Sequence, residues 1–532
     1  MSDPSPEVDS GVQRRRAYPD EDLPEGSVID CAELTRNLDE SFDFVVVGSG
    51  ASGAVAAHTL ARAGHRVALV EEGPWVKTRD FTPDVLGSFR RLMRDAATQA
   101  IEGRSFIPLL QGRCVGGSTV VNSAIAWRLP SDTLEDWRTR FGLKDALNET
   151  ELSSHFDALE EALNVHAIED DVLGQNSRGL LDAASGLGVE AHKMRRYDRD
   201  CVGSGRCLQG CPSAAKQGMS VSYVPWALSL GARIFTSCKV DRVEMTGDRV
   251  SAIVGKAITR TGEHAVRIRA TQGVIIAAST IQTPNILRRS GVRATALGRH
   301  FQAHPGVGCA AVFESRVQMD FGATQGAESI HYRKSEGFKL ESIAMPPELL
   351  AARMPGAGTE LMRRLADFPN VGIWVAQVRA EAEGTVESGF GGRDKVVYTP
   401  TARDMHVGRK ALAVLARLMF AQGAKEIWPG VHGLPSVLRS VDEVKLIDEG
   451  PTDPRAYGMV ASHLFGAARM GPDPKTSVVG TDFAVHGAKG LYVVDSSIFP
   501  TNLGVNPQHS IMALARLAAT RIAEVRVVSR VA

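Results

Sequence analysis

The stretch 42–53 constrains this chain more than any other. Phe44, Val45, Val46 and Val47 form a short, apolar, β-branched run, which predicts a buried parallel strand. It runs into Gly48, Gly50 and Gly53, spaced as G-x-G-x-x-G. An Ala-rich segment, 54–63, then predicts a helix that Gly64 stops. A second apolar strand, 67–70, ends in Glu71, 23 residues after Gly48. Strand, glycine turn, helix, strand and acid together make one βαβ nucleotide-binding unit. The expected fold class is α/β, with a Rossmann-like dinucleotide domain.

Each part of the unit has a physical task. Gly48 makes the tight turn, Gly50 lets the backbone approach a pyrophosphate, and Gly53 lets the helix pack on the strand. The helix N-terminus offers free N–H groups and a partial positive charge to phosphates. Glu71 can accept hydrogen bonds from a ribose diol. Gly48, Gly50, Ser52, Gly53 and Glu71 are therefore candidate cofactor residues. Taken alone, the unit does not separate FAD from NAD.

With 532 residues the chain is too long for one small core, so two domains are expected. Lys+Arg and Asp+Glu both number 61, which argues against a nucleic-acid binder working by bulk electrostatics. No window reaches the apolar length of a membrane span. The first 40 residues are polar, and Arg14, Arg15 and Arg16 are followed by no apolar segment of an export signal. They read as a disordered, solvated tail, with the cytoplasm as the expected compartment. Seven cysteines, an odd number, argue against a disulfide framework.

A second glycine-rich stretch begins at Gly112. Gly112, Arg113, Gly116, Gly117, Ser118, Thr119 and Asn122 fit G-R-x-x-G-G-S-S/T-x-x-N, and here the chain resembles the glucose–methanol–choline (GMC) family of flavoenzymes. The run 274–287 is similar to that family's second signature, with Ser279 in place of a glycine. The resemblance covers nearly the whole chain after residue 40, with the motifs in family order, and it implies FAD as the cofactor. Gly112, Arg113, Gly116, Gly117, Thr119 and Asn122 would line it. Val240 would meet the adenine through its backbone, and Asp495 would lie near the ribityl chain and phosphates. Some members carry a flavin-linked histidine where this chain has Val121, so the resemblance implies non-covalent FAD.

The expected division is a tail over 1–40, an FAD domain built from 41–128, 201–305 and 457–532, a helical cap segment over 129–200, and a sheet-and-helix substrate domain over 306–456. Helices are expected near 81–102, 343–367 and 404–422. The segment 343–368, with Met345, Met354 and Met362, reads either as ordinary helix core or as an apolar wall over the substrate.

His463 and Asn506 are the candidate catalytic residues. The run 463–471 resembles the family's H-x-x-G-T-x-R-M-G, with Ala467 for the threonine. Asn506 stands before Pro507, 43 residues after His463, as in family members with a His/Asn pair. Alcohol oxidation requires a hydride to leave carbon for flavin N5 and a proton to leave the hydroxyl. Histidine, titrating near neutrality, is the natural base. Asn506 can fix the hydroxyl. Asn506 is also expected to cap the following helix, whose positive end would face the flavin. His509 is the second candidate base, while His304 and His432 read as structural.

Cys201, Cys207 and Cys211, followed by Pro212, leave two readings open: ligands of an iron–sulfur cluster, or a buried loop of free thiols. Zinc would lack a fourth visible ligand. Some bacterial sugar dehydrogenases of the family carry a three-cysteine cluster in a similar segment. Relatives of long-chain alcohol oxidases have Cys-rich versions without an established metal.

The resulting expectation is an FAD-dependent enzyme that oxidises a small, apolar or aromatic alcohol to an aldehyde or ketone. Its electron acceptor is oxygen, a quinone or a redox protein. The alternative within the family is a hydroxynitrile-lyase-type enzyme without net redox, and a third reading is a flavin-bound scaffold with a dead site.

Overall fold

The computed structural model describes residues 18–259 and 262–531. The run Leu38–Val47 is the centre of an eight-stranded sheet. Its apolar end lies between two parallel neighbours, Val67–Val70 and Gly262–Ile276, and Phe44 to Val47 are buried throughout. Burial on both faces is why this strand is continuously apolar and does not alternate. Arg233–Thr236 and Val28–Asp30 extend the parallel side. Arg249–Thr259 and Cys238–Thr246 add an antiparallel meander, and Leu491–Val493 returns from the far end of the chain to pair with Gly262–Ile276. The helix Ala51–Arg62 packs against the C-terminal helix Gln508–Val531. This mixed α/β unit is the architecture the sequence predicts.

A second, six-stranded sheet has the order Ala424–Trp428, Gly306–Phe313, Val371–Val378, Phe338–Ser342, Ala327–Ser329 and His192–Lys193. The helix Ala402–Ala421 packs on it, closed at its start by a capping box between Thr401 and Asp404.

The structure corrects several boundaries. Residues 1–17 of the expected tail lie outside the described residues, but Val28–Asp30 is an edge strand of the first sheet, so the tail does not extend to residue 40. The segment 81–102 is helical only over Val85–Leu92, then turns at Asp95 and Ala96, both with positive φ, into the strand Ala100–Ile101. The segment 343–367 holds two short helices, Pro347–Ala351 and Thr359–Ala366, separated by glycines at 356 and 358. Met354 is buried there, while Met362 is 65% exposed.

Candidate active site

A cavity of ≈ 950 Å³ is walled by both sheets. Its lining includes Glu71, Val240, Gly48 and Gly50, His463 and Asn506, and Met345 and Trp428. This is the upper end of the volume of ligand sites.

The glycine turn shows why its spacing is required. Gly48 has φ of 100°, and a Cβ there would lie 2.3 Å from the carbonyl oxygen of Ala277. A Cβ on Gly53 would lie 1.8 Å from the carbonyl of Gly48, so only glycine lets the helix sit on the turn. At Gly50 a Cβ would meet nothing within 4 Å, because the position faces the cavity. Gly50 precedes the helix Ala51–Arg62, whose start has no side-chain cap. Its first N–H groups, with Ser52 on the cavity wall, are thus free for an anion. The residues fit the pyrophosphate of a dinucleotide.

Glu71 is buried on this wall and also holds the turn together. Its Oε2 accepts from Ser49 N (3.0 Å) and Ser49 Oγ (2.7 Å), and its Oε1 from Gly73 N (2.8 Å). Oε1 therefore keeps capacity for one further donor, such as a ribose hydroxyl. Gly112, Gly117, Thr119, Asn122 and Val121 face the cavity. Gly116 instead packs where a Cβ would be 2.9 Å from Ser220 N. Arg113 also lies off the wall: its Nε bonds Glu72 Oε1 (3.2 Å), a carboxylate shared with Arg94. Val240 and Asp495 line the cavity, and Asp495 accepts from Ser279 N (3.0 Å), Ser497 N (2.9 Å) and Thr283 Oγ1.

Cys201, Cys207 and Cys211 each meet a different set of partners. Among the described residues, no group of three or more His, Cys, Asp or Glu side chains is placed to hold a metal ion. The Cys207 thiol sits 3.7 Å from Arg196 Nη2, and Cys211 Sγ accepts from Lys216 N (3.4 Å). Cys201 packs beside the small apolar cluster of Ile168, Val172 and Leu173. Burial pushes the Cys207 thiol up, but the charges of Arg196 and Lys216 outweigh it and bring it down to about 7. Arg196 and Lys216 are the charged groups beside this sulfur. The segment's working residue is Lys216, which is buried and donates to the carbonyls of Val120 (2.7 Å), Asn122 (2.7 Å) and Cys207 (2.9 Å). It clips the cysteine loop to the back of the cavity-lining stretch 117–122.

At the junction with the second sheet, His463 lines the cavity, and its Nδ1 lies 3.3 Å from Nδ1 of His304. The rings meet edge to face, with centroids 5.4 Å apart. His304, read from sequence as structural, is thus part of the site. Its Nε2 lies 3.2 Å from Asn502 Oδ1 and 2.9 Å from the N–H of Gly504. Asn502 Nδ2 donates to Gln302 and Ala380, which fixes Oδ1 as its acceptor end. The two neighbours make opposite demands on Nε2. The N–H of Gly504 can only donate and calls for an unprotonated Nε2, whereas the Asn502 oxygen calls for a protonated one; in the latter tautomer His304 Nδ1 accepts from His463 Nδ1–H and leaves His463 Nε2 free to take a proton. Burial, and then the charge of Lys339, lower the pKa of His463 to about 3. Burial, and then His463, hold His304 well below the usual range. Both rings are neutral at pH 7.

Asn506 shares this cavity wall. It does not cap the helix with its side chain as expected: Oδ1 accepts from Lys339 Nζ, and the first helical bond runs from Ile511 N to the carbonyl of Pro507 (2.9 Å). His509 lies off the cavity, fully buried, with Nε2 3.3 Å from Glu160 Oε1 and its ring 5.1 Å from Phe156. Lys339, which holds Asn506, carries no motif that marks it in the sequence. The alternation of Phe338, Lys339, Leu340 and Glu341 reads as a strand with one solvated face, yet the whole strand Phe338–Ser342 is buried.

The sequence matches the family models described as GMC oxidoreductase over residues 42–306 and 392–515. The chain belongs to the GMC oxidoreductase family. It is an FAD-dependent oxidoreductase acting on CH–OH groups. An uncharacterised GMC-type oxidoreductase of Mycobacterium tuberculosis is 34% identical over 94% of this chain and 78% of that protein. Long-chain-alcohol oxidase FAO1 of Arabidopsis thaliana is 26% identical over 91% of this chain and 66% of that protein. Among solved structures, pyridoxine 4-oxidase from Mesorbium loti superposes with a TM-score of 0.68 at 18% identity, over 90% of this chain and 98% of that one. Formate oxidase of Aspergillus oryzae superposes with a TM-score of 0.70 at 16% identity, over 92% and 99%. At these identities the two structures bear on the fold.

Proposed function

We propose that this GMC oxidoreductase oxidises an apolar alcohol to the aldehyde or ketone, with His463 as the base and Asn506 as the group that orients the substrate oxygen. The observation that carries the reading is the arrangement of one wall. His463 and Asn506 line the same cavity as the cofactor-binding glycines and the apolar side chains of Ile343, Met345, Ile373, Val375 and Trp428. Bound along the glycine turn, FAD supplies the hydride acceptor. The chain's own residues handle the proton and the orientation. His463, neutral and backed by His304, takes the hydroxyl proton at Nε2. Asn506 holds the oxygen so that the carbinol hydrogen is aimed. The apolar side chains take the alkyl or aromatic body and exclude water. Similarity to a long-chain-alcohol oxidase supports an apolar substrate.

Val121 on the cavity wall supports non-covalent FAD, since it offers no nucleophile to the ring. The seven free cysteines support a reducing compartment, the cytoplasm. Among the described residues no helix is long and apolar enough to cross a membrane. Oxygen, a quinone or a redox protein would reoxidise the flavin.

The test is anaerobic flavin reduction with an alcohol panel. His463→Ala is expected to retain FAD and to slow reduction by roughly 10²–10⁴-fold. His509→Ala, off the cavity, is expected to reduce at nearly the parent rate. The reverse pattern would move the base to the helix and refute the assignment.

A further inference from the structure

Lys339 is fully buried, and each of its three N–H donors is committed. One goes to Glu328 Oε2, one to Glu341 Oε1 (2.6 Å) and one to Asn506 Oδ1. The two carboxylates are themselves fixed. Glu341 Oε2 accepts from Gln325 Nε2 (2.8 Å) and Gln377 Nε2 (2.8 Å). Glu328 Oε2 accepts from Trp127 Nε1 (2.7 Å), and its Oε1 lies 3.2 Å from His192 Nε2. Lys339 and Glu341 alternate along Phe338–Ser342, and Lys339 pairs in register with Gln377, so one sheet face presents this network to the cavity. A buried ammonium is retained only where its bonds are complete. Here the third bond is to a residue of the proposed catalytic pair.

An ammonium donates and cannot accept, so the Asn506 atom facing it must be the oxygen. The amide is planar, and its two N–H donors then point away from Lys339. Among the described residues Asn506 Nδ2 makes no hydrogen bond, and Asn506 lines the cavity.

We propose that Lys339 is a positioning residue: by holding Asn506 Oδ1, it turns the amide's N–H donors to the cavity, so that Asn506 donates to the substrate oxygen. The inference rests on the assignment of His463 and Asn506 above and adds a division of labour. Asn506 cannot take the hydroxyl proton; it stabilises the oxygen as negative charge builds there, and the proton goes to His463. A donor fixed in advance is worth more than one that must reorient as charge develops. Glu328 and Glu341 serve to keep the ammonium charged and aimed.

The experiment is stopped-flow anaerobic reduction of the FAD-loaded enzyme. The probe is whichever of ethanol, 1-octanol and benzyl alcohol the parent oxidises fastest. Retained FAD and its visible spectrum report on the fold. Lys339→Met is expected to slow the limiting reduction rate roughly 10- to 100-fold, the loss of one charge-assisted hydrogen bond. The apparent substrate Kd should stay within about 3-fold, because what is lost is orientation. In an Asn506→Ala background the same substitution should change the rate by less than about 3-fold, since the two residues act as one unit. Asn506→Asp, which offers acceptors alone, should reduce no faster than Asn506→Ala. Should Lys339→Met fail to hold FAD, the neutral set Glu328→Gln, Lys339→Met and Glu341→Gln leaves no uncompensated charge and carries the same test. Parent-rate reduction by Lys339→Met overturns the inference. So does an equal loss with and without Asn506, or a fast Asn506→Asp. If Asn506→Ala itself reduces at the parent rate, the assignment of Asn506 under the proposed function has failed, and this inference fails with it.

Discussion

Lys216→Met tests whether the cysteine segment is an architectural clip. Methionine is close in length and carries no donor, so the substitution removes three bonds to the carbonyls of Val120, Asn122 and Cys207. Hydrogen bonds to a charged group contribute about 1.5–3 kcal/mol each, or roughly 5–9 kcal/mol for three. Against this stands the cost of burying the ammonium. Burial lowers its pKa from 10.5 to about 8, which at 1.36 kcal/mol per unit is about 3 kcal/mol that methionine recovers. The net destabilisation is therefore roughly 2–6 kcal/mol. It should be expressed locally, because two of the carbonyls belong to the wall that faces the cofactor. Urea unfolding of the FAD-loaded variant, followed by far-UV circular dichroism and by flavin fluorescence, should show a lower midpoint. FAD release should precede or accompany loss of secondary structure. A variant within about 1 kcal/mol of the parent, with unchanged FAD affinity, would refute the reasoning. It would mean that water replaces the ammonium at no cost.

Protein purified anaerobically should contain neither iron nor acid-labile sulfide beyond trace. Stoichiometric amounts of both would show that Cys201, Cys207 and Cys211 regroup around a cluster. Acid precipitation should leave the flavin in a yellow supernatant, and flavin retained in the pellet would show a covalent bond elsewhere than at Val121. Stability should also depend on the buried histidines. His304 is held neutral in the fold but titrates near 6.5 when unfolded, so the unfolded chain binds more protons below that pH. Its contribution is present above pH 6.5 and is lost as the pH falls below it. His304→Asn should reduce the slope in that range, His463 retaining its own share, and an unchanged slope would show that His304 is charged in the fold.

The local pattern determined the nucleotide-binding half. The strand at 44–47, the glycines and Glu71 act on near neighbours, through steric contacts and backbone hydrogen bonds, so spacing alone specifies them. Gly53 is the plainest case: the contact that forbids a side chain there is with Gly48, five residues away. The family motifs likewise marked His463 and Asn506. What only the tertiary structure decided concerns side chains whose partners are distant in sequence. His304 meets His463 across 159 residues, and Lys339 meets Asn506 across 167. Asn506 does not cap its helix because a lysine from another domain's sheet claims its oxygen. Lys339 and Glu341 have the alternation of a solvated strand face, and nothing local says that the face is buried. The three cysteines are spaced closely enough to ligate a cluster. Whether they do depends on where the fold places them: Cys207 lies beside Arg196, Cys211 on the N–H of Lys216 and Cys201 against the Ile168 cluster, and among the described residues no three ligands are grouped. Sequence pattern records which residues can make an interaction. The choice of partner for a buried charge belongs to the packed interior, where an unpaired ion costs too much to persist and each must find its counterpart wherever the chain returns.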